Sequence, residues 1–406
     1  MNSIIKTSLL LGMYLCLLTI SSCDKAKDRP ELKKSKDYWK GTYDLTLQTD
    51  STDIEFKIEL VTGTDDMVYG YMQSDFKSYD SPIALDSTAS DTAYFHGYTN
   101  RLRLQQKDSV WKGKFTFLRK EYDVEMKQTN TSVRKSLVES RDFTPLQFDR
   151  DFNSVAWATP VSADRIYVTS EKDIYLAELD GNTWQTTKVN YDRTLWEFYS
   201  IGISADKQRL IGHGQPLTDS LPHQGGGDYY FLELKTPTEI GNISPLPESI
   251  NTDSYDIFPW MAENDDIVLT SYGKVEGVEK SGRADIYLAK LQDDGSYEVG
   301  VFDQDINTEE AEAGVFMDYD RRFIIFHKNN REKGTPDQLY ISTKQADVWS
   351  TPQKLSAPVN RDFTWSYAGR IDPQGKYLYF NSGFRGKIQI YRIAVNELEE
   401  LEPFFN

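Results

Sequence analysis

The sequence predicts an all-β chain: a small N-terminal antiparallel β-barrel followed by a β-propeller with five blades by count. Three observations carry this. A seven-residue stretch occurs five times, at Asp173–Leu179, Asp228–Leu234, Asp285–Leu291, Gln338–Lys344 and Gln389–Val395. Its anchoring tyrosines, Tyr175, Tyr230, Tyr287, Tyr340 and Tyr391, are 55, 57, 53 and 51 residues apart, a period that solenoids and propellers of short strands produce. Apolar residues mostly alternate with polar ones, and aromatics make up 13% of the chain, with 25 tyrosines; half-buried strands need that pattern. Long helical periodicity is hard to find after residue 25.

The first segment, 1–22, has Lys6 near its start and an apolar run from Leu9 to Ile20. That run is too short for a spanning helix and suits the apolar region of a secretory signal. It ends in Thr19, Ile20, Ser21, Ser22 and Cys23, which resembles a bacterial lipoprotein cleavage box. The resemblance implies that Cys23 becomes the lipidated first residue of an outer-membrane lipoprotein, on its periplasmic or surface face. Acyl chains anchor at about 0.8 kcal/mol per buried methylene. The alternative is a plain signal peptide followed by an incidental cysteine. Residues 23–37 are charged, lack apolar periodicity and read as a flexible tether. The short charged run after the cysteine resembles the surface-export signals of Bacteroidetes lipoproteins. With Cys16 removed, no structural disulfide is expected.

Residues 38–128 form the barrel. Ile54, Phe56, Ile58 and Leu60 alternate with Glu55, Lys57 and Glu59, and similar runs follow, separated by turn signals. Such a meander must close on itself or leave its edges unpaired. Its opening, Trp39, Lys40, Gly41, Thr42 and Tyr43, resembles the lipocalin-like barrels that precede other domains in Bacteroidetes proteins. The interior either takes an apolar molecule or is filled by side chains, as barrels this small usually are. Residues 129–145 are a polar linker.

The propeller occupies 146–406. Each unit has an acidic turn before its second strand, as in Ser204-Ala205-Asp206-Lys207-Gln208 and Asp372-Pro373-Gln374-Gly375-Lys376. These turns, with the Asp-Ile-Tyr strands that follow, resemble the WD40-like (PD40) repeats of TolB-type propellers. The acidic turns of units two and three depart from that pattern. Four strands in five units give five blades; a sixth could be assembled from Ser140–Asp151 and the C-terminus.

A net charge of −17 and the lack of a basic, aromatic-interleaved stripe argue against nucleic-acid binding. No His-x-x-x-His, cysteine pair or helix-opening glycine loop is present, so neither metal nor cofactor is expected. Loops carry function where strands hold shape. The long ones, Gly212–Gly227, Tyr272–Ala284, Lys328–Asp337 and Ser382–Lys387, gather at one end of the propeller channel. Glu197, Asp256 and Glu312 are expected at matching places near the start of three inner strands. His213 and His327, with Ser271 and Asn381, fall where second strands run into their loops.

Three readings of this rim stand side by side. The acids could satisfy backbone amides and loop arginines such as Arg331 and Arg385. They could instead bind a glycan or an envelope protein, with Trp196, Trp260 and Trp365 offering flat apolar surface. Or a glycoside hydrolase could use Glu197, Asp256 and Glu312, one carboxyl protonating the leaving oxygen and another activating water. A scaffold that only engages envelope proteins, as TolB-type propellers do, is the further alternative.

Overall fold

The computed structural model describes residues 36–131 and 144–405, apart from 50–51, 63–67, 77–78, 90, 98–99, 118, 153–155, 219–220, 222, 263, 276, 331, 347, 357–358, 361–363 and 384–387. Cys23, Arg331 and Arg385 therefore lie outside the described residues. No helix among the described residues is long and apolar enough to cross a membrane. The chain divides into two units.

The first unit is a closed barrel of eight antiparallel strands in sequential order, from Gly41–Gln48 to Lys120–Asn130. Closure is direct: Leu45 faces Phe56 on the second strand and Met126 on the eighth. Strict alternation sends Tyr43, Leu45 and Leu47 inward with Phe56, Ile58 and Leu60. These join Met72, Phe95, Leu102, Phe115 and Met126 in one apolar core. Trp39 closes over it, its ring 4.7 Å from that of Trp111. Both pattern and closure follow from the period-two pleat, because a slip of one residue would turn every inward chain outward.

The second unit is a five-bladed propeller. Its innermost strands are Trp157–Ser162, Trp196–Ile203, Asp256–Met261, Ala311–Met317 and Trp365–Ile371, and they touch their neighbours in a closed ring. Each is followed outward by a second strand and then by the tyrosine-bearing third, which starts at Asp173, Asp228, Asp285, Thr335 or Gln389. The inner strands are buried along almost their whole length; Asp256–Met261 and Ala311–Met317 have no exposed residue. That is why they read as continuous apolar runs rather than alternating ones.

The fifth blade differs from the expected four strands. Its sheet has three, and a segment from the start of the unit reaches its edge: Leu146 N–H donates to Ile390 O at 2.9 Å. The same segment pairs with the outer strand of blade 1, Trp184 N–H donating to Gln147 O (2.8 Å) and Asp149 N–H to Trp184 O (3.0 Å). Residues 146–149 thus join the last blade to the first, and among the described residues the propeller sheets number five, not six.

Four of the five inner strands carry a one-residue bulge near mid-strand, that of blade 2 one ladder pair nearer the strand start and the other three at one level. Register slips between Phe198 and Ser200, Ile257 and Trp260, Ala313 and Phe316, and Tyr367 and Arg370. Phe258, Gly314 and Ala368 occupy this level with φ of 49°, 64° and 53°. Left-handed backbone at a phenylalanine and an alanine is strained and is held only where surrounding packing over-determines it.

Candidate functional site

The bulges decide which side chains reach the channel. Aligned on the third strands, Asp228, Asp285 and Gln338 face Gly214, Ser271 and Lys328, which in turn face Phe198, Asp256 and Glu312. Asp256 and Glu312 therefore match each other, and the residue of blade 2 that matches them is Phe198, not Glu197. Blades 2, 3 and 4 each carry one extra residue here, so the mismatch lies in the spacing itself: Glu197 stands six residues before Ile203, whereas Asp256 and Glu312 stand five before the equivalent Met261 and Met317. His213 and His327 do match, opposite Tyr229 and Leu339, with Asn381 opposite Ile390. The corresponding residue of blade 3 is Thr270, not Ser271.

Asp256 and Glu312 are both fully buried and both clasp the loop that enters their own blade. Asp256 Oδ2 accepts from Thr252 N–H (2.7 Å) and Oδ1 from the Thr252 hydroxyl (2.9 Å). Glu312 Oε2 accepts from Thr308 N–H (3.2 Å) and Oε1 from the Thr308 hydroxyl (2.5 Å). Burial dominates both: it pushes Asp256 up to about 6 against the hydrogen bonds from Ser271 and Thr252. Glu312 is pushed up to about 7 against Thr308 and Lys328.

Ahead of Thr252 and Thr308, and at the matching place in the loop entering blade 5, stands an asparagine outside the set predicted from sequence. Asn251 holds both backbone groups of Tyr229, Asn307 those of Ile286 and Asn360 those of Leu339. Each ties the third strand of one blade to the loop entering the next. A signal for them exists, since Asn251-Thr252 precedes Asp256 by the same spacing as Asn307-Thr308 precedes Glu312.

Glu197 sits beside blade 1 instead. Its Oε1 accepts from Gln215 Nε2 at 2.6 Å and from the Tyr199 hydroxyl, and Lys172 Nζ lies 2.7 Å from Oε2. Lys172 belongs to a two-residue hairpin turn, with Glu171 and Lys172 at φ 56° and 66°, where blades 2 and 3 have long loops; the long loop expected at Lys328–Asp337 is instead mostly strand, Asn330 pairing with Thr335. Such a turn matches strand twist but favours glycine or asparagine.

The two histidines are buried core residues. Burial pushes His213 down to about 3; its Nδ1 is 3.3 Å from the Ser200 hydroxyl. His327 is lowered by burial against the pull of Asp337, 3.8 Å away. Trp260, expected at the rim, is wholly buried and donates from Nε1 to Met317 O at 2.9 Å. Trp196 is buried against Tyr230.

What the rim does present is aromatic. Ile257, Phe258, Ala313, Tyr367 and Ala368 form a buried patch, with half-buried Trp157, Tyr255, Tyr272 and Trp365 packed on it. Trp157 lies 4.8 Å from Phe258 and 5.2 Å from Tyr367, while Tyr255 and Tyr272 are 6.2 Å apart. Arg283 covers Tyr272 at 5.6 Å. Among the described residues no group of three or more His, Cys, Asp or Glu side chains could hold a metal ion.

The chain is similar to TolB. The TolB structure from Acinetobacter baumannii aligns with a TM-score of 0.33 and 12% identity, covering 86% of this chain and 79% of that one. Hydrazine synthase of Kuenenia stuttgartiensis aligns at 0.31 and 13% identity, over 78% and 80%. An endo-1,5-α-L-arabinanase from Thermotoga petrophila RKU-1 gives 0.22 and 10% over 84% of each chain. No family model matches the chain, and no curated protein matches its sequence. The propeller itself is defined by the strand pairing above.

Proposed function

We propose that this chain is a lipid-anchored envelope protein whose propeller rim binds an extended polar ligand, a glycan or a segment of an envelope partner. The observation that carries this is the set of half-buried aromatic rings, Trp157, Tyr255, Tyr272 and Trp365, seated on the buried channel patch. Rings held this way offer a rigid apolar face at little entropic cost, which suits sugar rings and peptide planes alike. The two-residue turn at Lys172 leaves blade 1 with little loop above its strands, while blades 2 and 3 carry long loops. A ligand would enter from that side. The anchor is the lipid on Cys23, and the address is the outer membrane.

The hydrolase reading fares worse. A glycosidase acid must reach the glycosidic oxygen, yet Asp256 and Glu312 have no exposed surface and both oxygens of each are bonded to their own loops. The raised pKa values of these groups follow from that burial. The test is retention on immobilised polysaccharides and on envelope extracts, comparing the protein with Tyr272→Ala and Trp365→Ala. Retention lost in both variants, with folding intact, supports the rim as the site; retention unchanged in both removes it. Release of reducing sugar that survives in neither Asp256→Asn nor Glu312→Gln would restore the hydrolase.

A further inference from the structure

At the opposite end of the inner strands, near the turns that lead to the second strands, a single arginine sits on the propeller axis. Arg370 is 3% exposed. Every blade contributes to its surroundings. From blade 1, the Thr159 hydroxyl accepts from Nη1; from blade 2, Ile201 O accepts from the same nitrogen. Thr159 also donates to Ile201 O at 2.7 Å, fixing that acceptor pair. From blade 3, the Trp260 ring lies under the guanidinium at 5.3 Å. From blade 4, Tyr319 packs against Trp260 at 5.8 Å, and Arg370 itself comes from blade 5.

Among the described residues no carboxylate is paired with Arg370, although the protein has 63 acidic side chains. Desolvation pushes the guanidinium down to about 10, and the titratable neighbour that acts on it is Tyr319, not an acid. A buried cation without a counter-charge is costly, and native proteins rarely retain one. The unfilled bonding capacity is directional. A guanidinium has five N–H groups in a fixed fork, and the two on Nη1 are taken. Nε and Nη2 make no hydrogen bond among the described residues, yet neither belongs to the unpaired polar atoms that are sealed from solvent. The Tyr319 hydroxyl stands in the same condition. The Nε and Nη2 atoms and the Tyr319 hydroxyl, which acts electrostatically on Arg370, thus have no hydrogen-bond partner among the described residues and are not fully sealed from water.

We infer that the Arg370 Nε–Nη2 edge, with the Tyr319 hydroxyl, is an axial binding site for a small oxyanion, a carboxylate or a phosphate group. The Nε–Nη2 edge is the side of a guanidinium that meets two oxygens at once, and charge-assisted pairs of this form are about twice as strong as neutral ones. Trp260 and the Thr159–Ile201 pair hold the plane so that little side-chain freedom is lost on binding. The site is separate from the aromatic rim and depends on no ligand there.

The experiment is isothermal titration of the full folded chain with sodium acetate and with inorganic phosphate, each at matched ionic strength against sodium chloride. Saturable binding of either oxyanion is expected, and the arm that responds names the class of headgroup. Arg370→Lys keeps the charge but loses the fork, so affinity should fall at least about tenfold. Arg370→Gln should abolish binding, and Tyr319→Phe should weaken it severalfold. Should the glutamine variant fail to fold, the lysine and phenylalanine variants decide the matter. No saturable heat with either oxyanion, an equal response to chloride, or undiminished binding by Arg370→Lys would each overturn the assignment.

Discussion

Glu312→Gln tests the burial argument most directly. The carboxyl has an ordinary value of 4.5 and is pushed up to about 7 in the folded chain, desolvation being the largest cause. The folded state thus holds this proton more tightly than the unfolded state. Its stabilising effect is complete below about pH 4.5 and is lost as pH rises through about 7, since the unfolded chain ionises first. A shift of that size amounts to about 3 kcal/mol at 1.36 kcal/mol per unit. Glutamine keeps the shape and an acceptor for Thr308 but cannot ionise. Relative to the parent, Glu312→Gln should therefore gain about 3 kcal/mol between about pH 4.5 and about pH 8. Native-state hydrogen exchange at the amides of Phe323–Phe326, the adjoining strand of that blade, reads the stability of the propeller apart from that of the barrel. A difference between the two proteins that stays constant across this window would refute the reasoning.

Asn307→Ala removes both partners of the Ile286 backbone, each bonded at 2.8 Å, and should cost about 2 kcal/mol in chemical denaturation. Gly314→Ala places a methyl group at φ 64° against the His327 ring and should cost at least about 2 kcal/mol, read as a lower melting temperature. Trp260→Ala should cost about 3–5 kcal/mol as a core truncation and should be distinguishable by its melting temperature from Trp365→Ala, whose ring is only half-buried. A Trp260→Ala chain that melted like its parent would return that residue to the rim.

Much of the architecture was legible because it repeats. Tyr175, Tyr230, Tyr287, Tyr340 and Tyr391 mark one strand per blade, and one recurring strand suffices to count blades. The barrel strands were legible from alternation, as in Ile54–Leu60. The site was less so, and for a specific reason. Its geometry is set by the bulges at Tyr199, Phe258, Gly314 and Ala368, which shift each inner strand by one residue against its partner. Glu197 parts from Asp256 and Glu312 by its own place in the strand, six residues ahead of Ile203 where they stand five ahead of Met261 and Met317. Trp260 was misplaced for a different reason: continuous apolar runs such as Asp256–Met261 carry no alternation to say which side chains face outward. Arg370 escaped notice because one charged residue in an apolar strand has no sequence partner. Its companions come from four other blades.

The junction at residues 146–149 has a topological consequence. A propeller whose final and initial sheets were complete in themselves could be cut between any two blades and still keep its strands. This one has a stitched hem: Leu146 lies along Ile390, and Gln147 and Asp149 lie along Trp184. A fragment starting at residue 150 retains every named propeller strand but forfeits the thread that sews its two ends together, leaving the circle free to gape at that seam.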